Sequence, residues 1–191
     1  MKKFIGLTLC LLFLFALTAG GLGVTAEQRS SVSREEAGEY LNRLDILRGG
    51  GGDSLELDRD LTRGEFATLA VRIAGMERFE EDYRGDTSFT NIPGDFWGTG
   101  YVNLAVELDL MQGYGGNLFG PNDPISYAET VTVLVRLLGY ESDVEDEWPQ
   151  GHIEVAGELG ITEDFSVEPL DVITRGDISL LIYNSLDVVL K

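Results

Sequence analysis

The chain has 191 residues, of which 33 are acidic and 14 basic, with one cysteine, one histidine and a formal net charge of −19. A field of that sign repels nucleic acid and anionic membrane at long range, so nucleic-acid binding is excluded as the main task. A lone cysteine and a lone histidine supply neither a disulfide framework nor a Cys/His zinc site, and no Ser/His/Asp or Cys/His set is available for nucleophilic catalysis.

The first predicted segment, residues 1–26, is a secretory leader. Lys2 and Lys3 precede an apolar run from Phe4 to Leu17, and small residues lead to Ala26. The run is short for a membrane span, so no membrane association is expected after cleavage; an uncleaved anchor is the alternative. Cys10 lies inside the run, without the context of a lipoprotein cysteine, and reads as a small apolar residue. All 33 acidic residues follow Ala26, whereas two of the 14 basic ones precede it. The remaining 165 residues therefore carry 12 basic against 33 acidic groups, a net charge of −21. That length suffices for one medium domain, or for several small units sharing a core.

After the leader one unit is written three times, over 34–78, 86–141 and 142–191. "LNRLDILRG" (41–49), "AVELDLMQG" (105–113) and "AGELGITED" (156–164) align, as do "LTRGEFATLAVRIAG", "ISYAETVTVLVRLLG" and "ITRGDISLLIYNSLD". The first two copies keep an offset of 64 residues, and the third has a loop three residues shorter. Tandem repeats of this length bury their cores against one another. Each copy begins with a predicted helix whose apolar positions recur at i, i+3, i+4 and i+7: Ala37, Tyr40, Leu41 and Leu44; Tyr101, Leu104, Ala105 and Leu108; His152, Val155, Ala156 and Leu159. A turn-rich loop follows, stiffened by Pro121, Pro124 and Pro169 in the later copies. A second one-striped helix then contains Phe66, Thr130 or Ile178, and Gly75 and Gly139 close it in the first two copies. Residues 76–88, with Glu80, Glu81 and Asp82 and no clear stripe, read as a linker or solvated spacer. The expected fold class is mainly all-α, built of helix-loop-helix repeats.

Thr62-x-x-Glu65 and Ser126-x-x-Glu129 have the spacing of a capping box, and Thr174-x-x-Asp177 is a weaker version because Asp is one methylene shorter. Arg63 and Arg175 then fall at the first helical position, where a cation is unfavourable by roughly 0.3–1 kcal/mol beside the positive end of the macrodipole. Gly64 and Gly176 follow, and glycine costs a helix interior about 1 kcal/mol relative to alanine, less in the first turn. Local stability does not explain this pair. Two readings stand: an external anion held by free helix-start N–H groups and the guanidinium, with the glycine admitting it to the backbone, or a surface arginine paired with a neighbouring acid. On the first reading, replacing both arginines by alanine is expected to leave the fold intact.

Trp97 and Trp148 occupy the same place in their copies, where an indole either staples the helix start into the core or offers a face to a sugar ring. His152 aligns with Tyr101 on the apolar stripe and reads as a ring at the core edge. The acidic runs 80–82 and 143–147 lack the spacing of an EF-hand loop, so no metal or other cofactor is expected. Acids that recur between copies are already assigned to caps, which argues against a hydrolase.

These features resemble the S-layer homology family, whose repeat reads approximately F-x-D-V, a Trp, an apolar helix ending G-I/L-x-x-G, then F-x-P and T-R-A-E. The second copy has Phe89-x-Asn91-Ile92, Trp97, "ELDLMQG", Phe119-x-Pro121 and "ISYAE". The third has Asp143-Val144, Trp148, "ELGI", Val167-x-Pro169 and "ITRGD"; the first has "LDILRG" and "LTRGE" but no Trp. The resemblance implies three modules closing into a pseudo-threefold helical bundle that is secreted and held at the cell wall. Grooves between modules would bind an anionic cell-wall polysaccharide, often one bearing a ketal-linked pyruvate. Arg63 and Arg175 would receive the carboxylate, Trp97 and Trp148 would pack near the sugar, and Gly49 and Gly113 would permit close approach. Tyr127 stands where the motif has Arg, and Asp164 where it has glycine. Fewer than three competent grooves are therefore expected. The competing expectation is an assembly module that contacts other surface proteins.

Overall fold

The computed structural model describes residues 32–49, 54–163 and 165–191; the leader expected at 1–26 and Asp164 lie outside them. Six α-helices form among the described residues: α1 (Arg34–Arg43), α2 (Arg63–Ile73), α3 (Thr99–Glu107), α4 (Tyr127–Leu137), α5 (Gln150–Glu158) and α6 (Arg175–Ser185). Short 3-10 helices run from Glu77 to Tyr83 and from Glu141 to Asp143, and extended segments meet only in isolated bridges. The fold is mainly all-α.

Local codes account for the helix starts. Thr62, Ser126 and Thr174 each accept from the backbone three residues on, and Glu65, Glu129 and Asp177 return the bond to the cap N–H. The shorter Asp177 spans the gap, accepting from Thr174 N at 3.0 Å. A fourth box, Ser33 with Glu36, opens α1; its S-x-x-E spacing was legible in the sequence but was not among the caps expected above. Gly75 and Gly139, at φ +68° and +85°, take the left-handed turn that stops α2 and α4.

Packing crosses between copies. The second helix of one copy lies on the first helix of the next, α2 on α3 and α4 on α5, while α6 returns to α1; α4 also touches α2 and α6. Backbone bonds follow the same cycle. Arg63 N and Gly64 N donate to Asp123 O and Pro121 O (both 2.9 Å), and Tyr127 N and Ala128 N to Asp171 O and Pro169 O (2.9 and 2.8 Å). Arg175 N and Gly176 N donate to Arg59 O and Leu57 O (2.9 and 2.8 Å).

This arrangement corrects two expectations. The second helices are not one-striped: Arg63, Gly64 and every residue from Phe66 to Val71 are buried, as are Tyr127, Ala128 and Thr130 to Val135. They have neighbours on several sides, so buried hydroxyls bond back into their own helices, as Thr132 does to Ala128 O (2.8 Å) and Ser179 to Arg175 O (2.7 Å). The first helices are the peripheral ones, and Tyr40 and Leu44 of the predicted stripe are exposed. Nor is 76–88 a solvated spacer throughout: Glu81, Asp82 and 84–86 are exposed, but the first part is packed. Its 3-10 helix packs on α3, and Glu80 is buried against Gly100, where a Cβ would collide with the Glu80 carboxylate and carbonyl.

Candidate functional site

The helix-start anion corner does not exist in the form expected. The N–H groups of Arg63, Gly64, Arg175 and Gly176 are spent on carbonyls of the following copy, as given above. A Cβ on Gly64 would lie 2.8 Å from Phe96 Cζ and 2.9 Å from Pro121 O, and one on Gly176 would lie 3.2 Å from Leu57 O. These glycines therefore admit a neighbouring copy, not a ligand. The side chains are not surface groups either, since Arg63 is 3% and Arg175 5% exposed. Backbone carbonyls compensate the unfavourable helix position. Arg63 donates Nε to Phe119 O (2.9 Å) and Nη2 to Gln112 O (2.8 Å), and its Nη1 pairs with Glu129. Aromatic faces flank it, with Tyr114 and Phe119 ring centroids 4.3 and 4.7 Å away. Replacing Arg63 by alanine would orphan all these partners, so the fold-neutral expectation is withdrawn.

Arg63 nevertheless reaches a cavity of about 340 Å³, which it lines together with Gly113, Glu129, Arg136, Trp148 and His152. Arg63 comes from the first copy, Gly113 from the second and Trp148 from the third. The indole is 51% exposed, and its Nε1 donates to Thr132 Oγ1 at 3.0 Å, which holds the ring as a wall of the cavity. Trp97 is 57% exposed, so neither indole is stapled into the core. At the far side Arg136 donates to Leu110 O (3.3 Å) and pairs with Glu141 (3.2 Å), which also lies 3.1 Å from His152 Nε2. Burial alone would raise the Glu141 carboxyl, but these cationic and ring donors outweigh it and hold its pKa below the ordinary value. His152 is buried, as a core-edge ring should be, yet its Nδ1 has no partner among the described residues.

The environment of Arg175 repeats much of this pattern. It donates Nε to Leu55 O and Nη2 to Arg48 O (both 3.0 Å). Arg72 takes the place of Arg136, donating to Ile46 O (3.2 Å) and to Glu77 (2.9 Å), and Tyr101 Oη donates to Glu77 at 2.9 Å. Trp97 lies beside Tyr101 in a tilted contact, with ring centroids 6.4 Å apart. Arg72 and Arg136 are positions that the sequence reading missed. Their recurrence in "AVRIAG" and "LVRLLG" was the available signal.

Around Tyr127 the pattern is lost. The phenol is buried and stacks on Phe165 at 6.0 Å, and burial raises its pKa. Asn184 replaces the Arg72/Arg136 position, donating to Ile161 O at 3.1 Å, and Leu180 replaces Thr68 and Thr132. No group of His, Cys, Asp and Glu able to hold a metal forms among the described residues.

The class so defined is a mainly α-helical protein with a cavity lined by arginine and an exposed indole. Residues 92–131, from the second copy, match the S-layer homology domain. The chain is 33% identical over 91% of its length to a "Middle cell wall protein" of Brevibacillus brevis, and 29% identical over 98% to a "Cell surface protein" of Thermoanaerobacter kivui. It is 24% identical over 74% to a "Cellulosome-anchoring protein" of Acetivibrio thermocellus. The chain spans 17%, 25% and 35% of those relatives' lengths, respectively. These similarities support a location at the cell surface or cell wall.

Proposed function

We propose that the protein is a non-enzymatic anchor of three S-layer homology modules, arranged with pseudo-threefold symmetry, which holds itself non-covalently to a secondary cell-wall polysaccharide. The observation that carries this reading is the cavity that gathers Arg63, Gly113 and Trp148 from three copies. A cationic back wall, an exposed indole and a small-residue rim suit a sugar bearing a carboxylate such as a ketal-linked pyruvate. Arg175, Gly49 and Trp97 form the second groove on this reading. The third, at Tyr127, lacks the arginine and is not a carboxylate site. Gly64 and Gly176 serve packing, and Thr62, Ser126 and Thr174 with their acids serve as caps.

Purified protein should co-sediment with wall sacculi and stay in solution once the polymer, or its pyruvate, has been removed. Equal pelleting with stripped peptidoglycan rejects the proposal. A second reading, surface-layer assembly through protein contacts, is favoured by an apolar groove of about 620 Å³ where the helices end, lined by Leu44, Ile73, Leu108, Leu137 and Leu190. Light scattering that shows a strict monomer at high concentration, with no partner recovered from the surface fraction, would remove it.

A further inference from the structure

His152 is the only histidine of the chain; it is buried, and it lines the Arg63 cavity. Its Nε2 lies 3.1 Å from Glu141. An ionised carboxylate only accepts, so Nε2 carries the proton of the neutral ring and Nδ1 is an acceptor. That Nδ1 is out of solvent and has no partner among the described residues. A second proton would make it a buried donor without an acceptor, a cost that a negative charge nearby offsets.

The charges facing the ring are already matched. Arg63 of α2 pairs with Glu129 of α4, and Arg136 of α4 pairs with Glu141 at 3.2 Å. Glu141 is ionised near neutral pH: burial would raise its carboxyl, but Arg136 and His152 outweigh that and hold it below the ordinary value. Tyr114, from the loop after α3, stays neutral because burial pushes its phenol up. On the histidine's own helix Glu154 and Glu158 are exposed, and Glu154 takes a bond from Gln150 at 3.1 Å. Asp143, Glu145, Asp146 and Glu147, ahead of α5, are exposed as well, and Asp143 pairs with Lys191. Two cations therefore face two acids at the cavity. A ligand carboxylate adds a third negative charge, and His152 is the lining residue whose charge ordinarily changes near neutral pH and can balance it.

The matching ring of copy two is Tyr101, which donates to Glu77 at 2.9 Å beside Arg72. Burial and the Glu77 carboxylate push that phenol above its ordinary value, so it stays neutral and lends no charge. Histidine in place of tyrosine thus makes the Arg63 cavity the proton-sensitive one.

We propose, resting on the wall-glycan reading, that His152 is a further binding residue of the Arg63 cavity: it takes up a proton as a sugar-borne carboxylate enters, and holds the anion by charge. A residue more fully protonated in the complex than in the free protein makes binding tighten as pH falls.

Titration calorimetry with a methyl hexoside carrying a ketal-linked pyruvate tests this; the isopropylidene ketal, in which a methyl replaces the carboxylate, is the neutral control. For wild-type protein the Kd should fall by about threefold or more from about pH 8 to about pH 6, and buffers of different ionisation enthalpy should reveal net proton uptake. The neutral ketal should show neither effect. His152→Gln, which keeps an N–H donor for Glu141, and His152→Tyr, which reproduces the ring of copy two, should change Kd by less than about twofold over that range. With one histidine in the untagged chain, its imidazole proton resonances need no assignment, and saturating ligand at about pH 7 should move them toward their protonated positions. A Kd independent of pH, an equal dependence in His152→Gln, imidazole resonances that ligand leaves in place, or no binding of the hexoside at any pH each overturn the proposal. Sacculus co-sedimentation separates the cases: where wild-type protein still pellets with sacculi and not with stripped peptidoglycan, the wall reading stands and only the role of His152 falls.

Discussion

Gly64 and Thr62 sit two residues apart and carry different kinds of information. Thr62 is a cap, and Thr62→Ala should cost about 0.5–2 kcal/mol in urea denaturation, as such losses usually do. Gly64 is a contact point. Its Cβ would press on Phe96 and on the Pro121 carbonyl, and backbone does not give way, so Gly64→Ala should cost about 1–3 kcal/mol although alanine is the better helix former. Arg63→Ala should cost a further kind of energy, about 1–3 kcal/mol, by leaving Phe119 O and Gln112 O without a donor and Glu129 without its cation. The carboxyls of Glu65, Glu77 and Glu141 belong to the same accounting. Burial raises each, but arginine donors outweigh it and leave all three folded-state pKa values below 4.5. A depressed folded value means that the stability they lend is present above pH 4.5 and is lost as pH falls through the depressed values. Thermal melts between pH 7 and pH 3 should therefore show their decline below about pH 4.5, and Arg59→Ala should flatten part of it.

Helices here are defined by their neighbours as much as by their own pattern. The i, i+3, i+4 spacing located α1 to α6, yet it described α2, α4 and α6 as amphipathic when they are enclosed, because short polar residues such as Thr68, Thr132 and Ser179 hide their hydroxyls in the helix backbone. The docking of α6 on α1 joins the ends of the described chain. Leu41, fully buried in α1, should cost about 2–5 kcal/mol when cut to alanine, and the loss should appear as one shifted transition. Independent copies would instead give a separate early transition. Tyr127→Arg offers the opposite case. It restores the motif arginine in copy two, but Asn184 and Leu180 remain, and Asp177 is already paired with Arg34 at 2.7 Å. The variant should be less stable and should bind no additional pyruvylated hexoside, which calorimetry can read directly.

At the scale of the molecule, Phe66, Phe119, Leu134 and Ile182, from all three copies, belong to a single core cluster among the described residues. The molecule also has one field, set by a net charge of −19. Any anionic wall polymer must approach against that field before a local guanidinium can hold it. Salt should thus speed association, because the screening length shrinks from about 30 Å at 0.01 M to about 10 Å at 0.1 M while the buried arginine contact is screened little. Surface plasmon resonance over that salt range should show a rising association rate with a nearly constant dissociation rate. A falling association rate would mean that a basic surface patch, not the groove, steers the encounter.

Much was legible in the residues alone. Capping boxes, glycine stops and helical periodicity are short-range codes, satisfied within about four residues of chain, so they can be read without knowing where the chain goes. The recurrence of Arg63 and Arg175 also marked two arginines that the structure buries against backbone carbonyls distant in sequence. What surrounds them could not be read that way. Arg63 meets Glu129 across 66 residues, and Arg175 meets Arg48 across 127. Such partners are chosen by shape and desolvation in the assembled core. For that reason the tertiary structure decided that the helix-start N–H groups are closed and that the indoles are open.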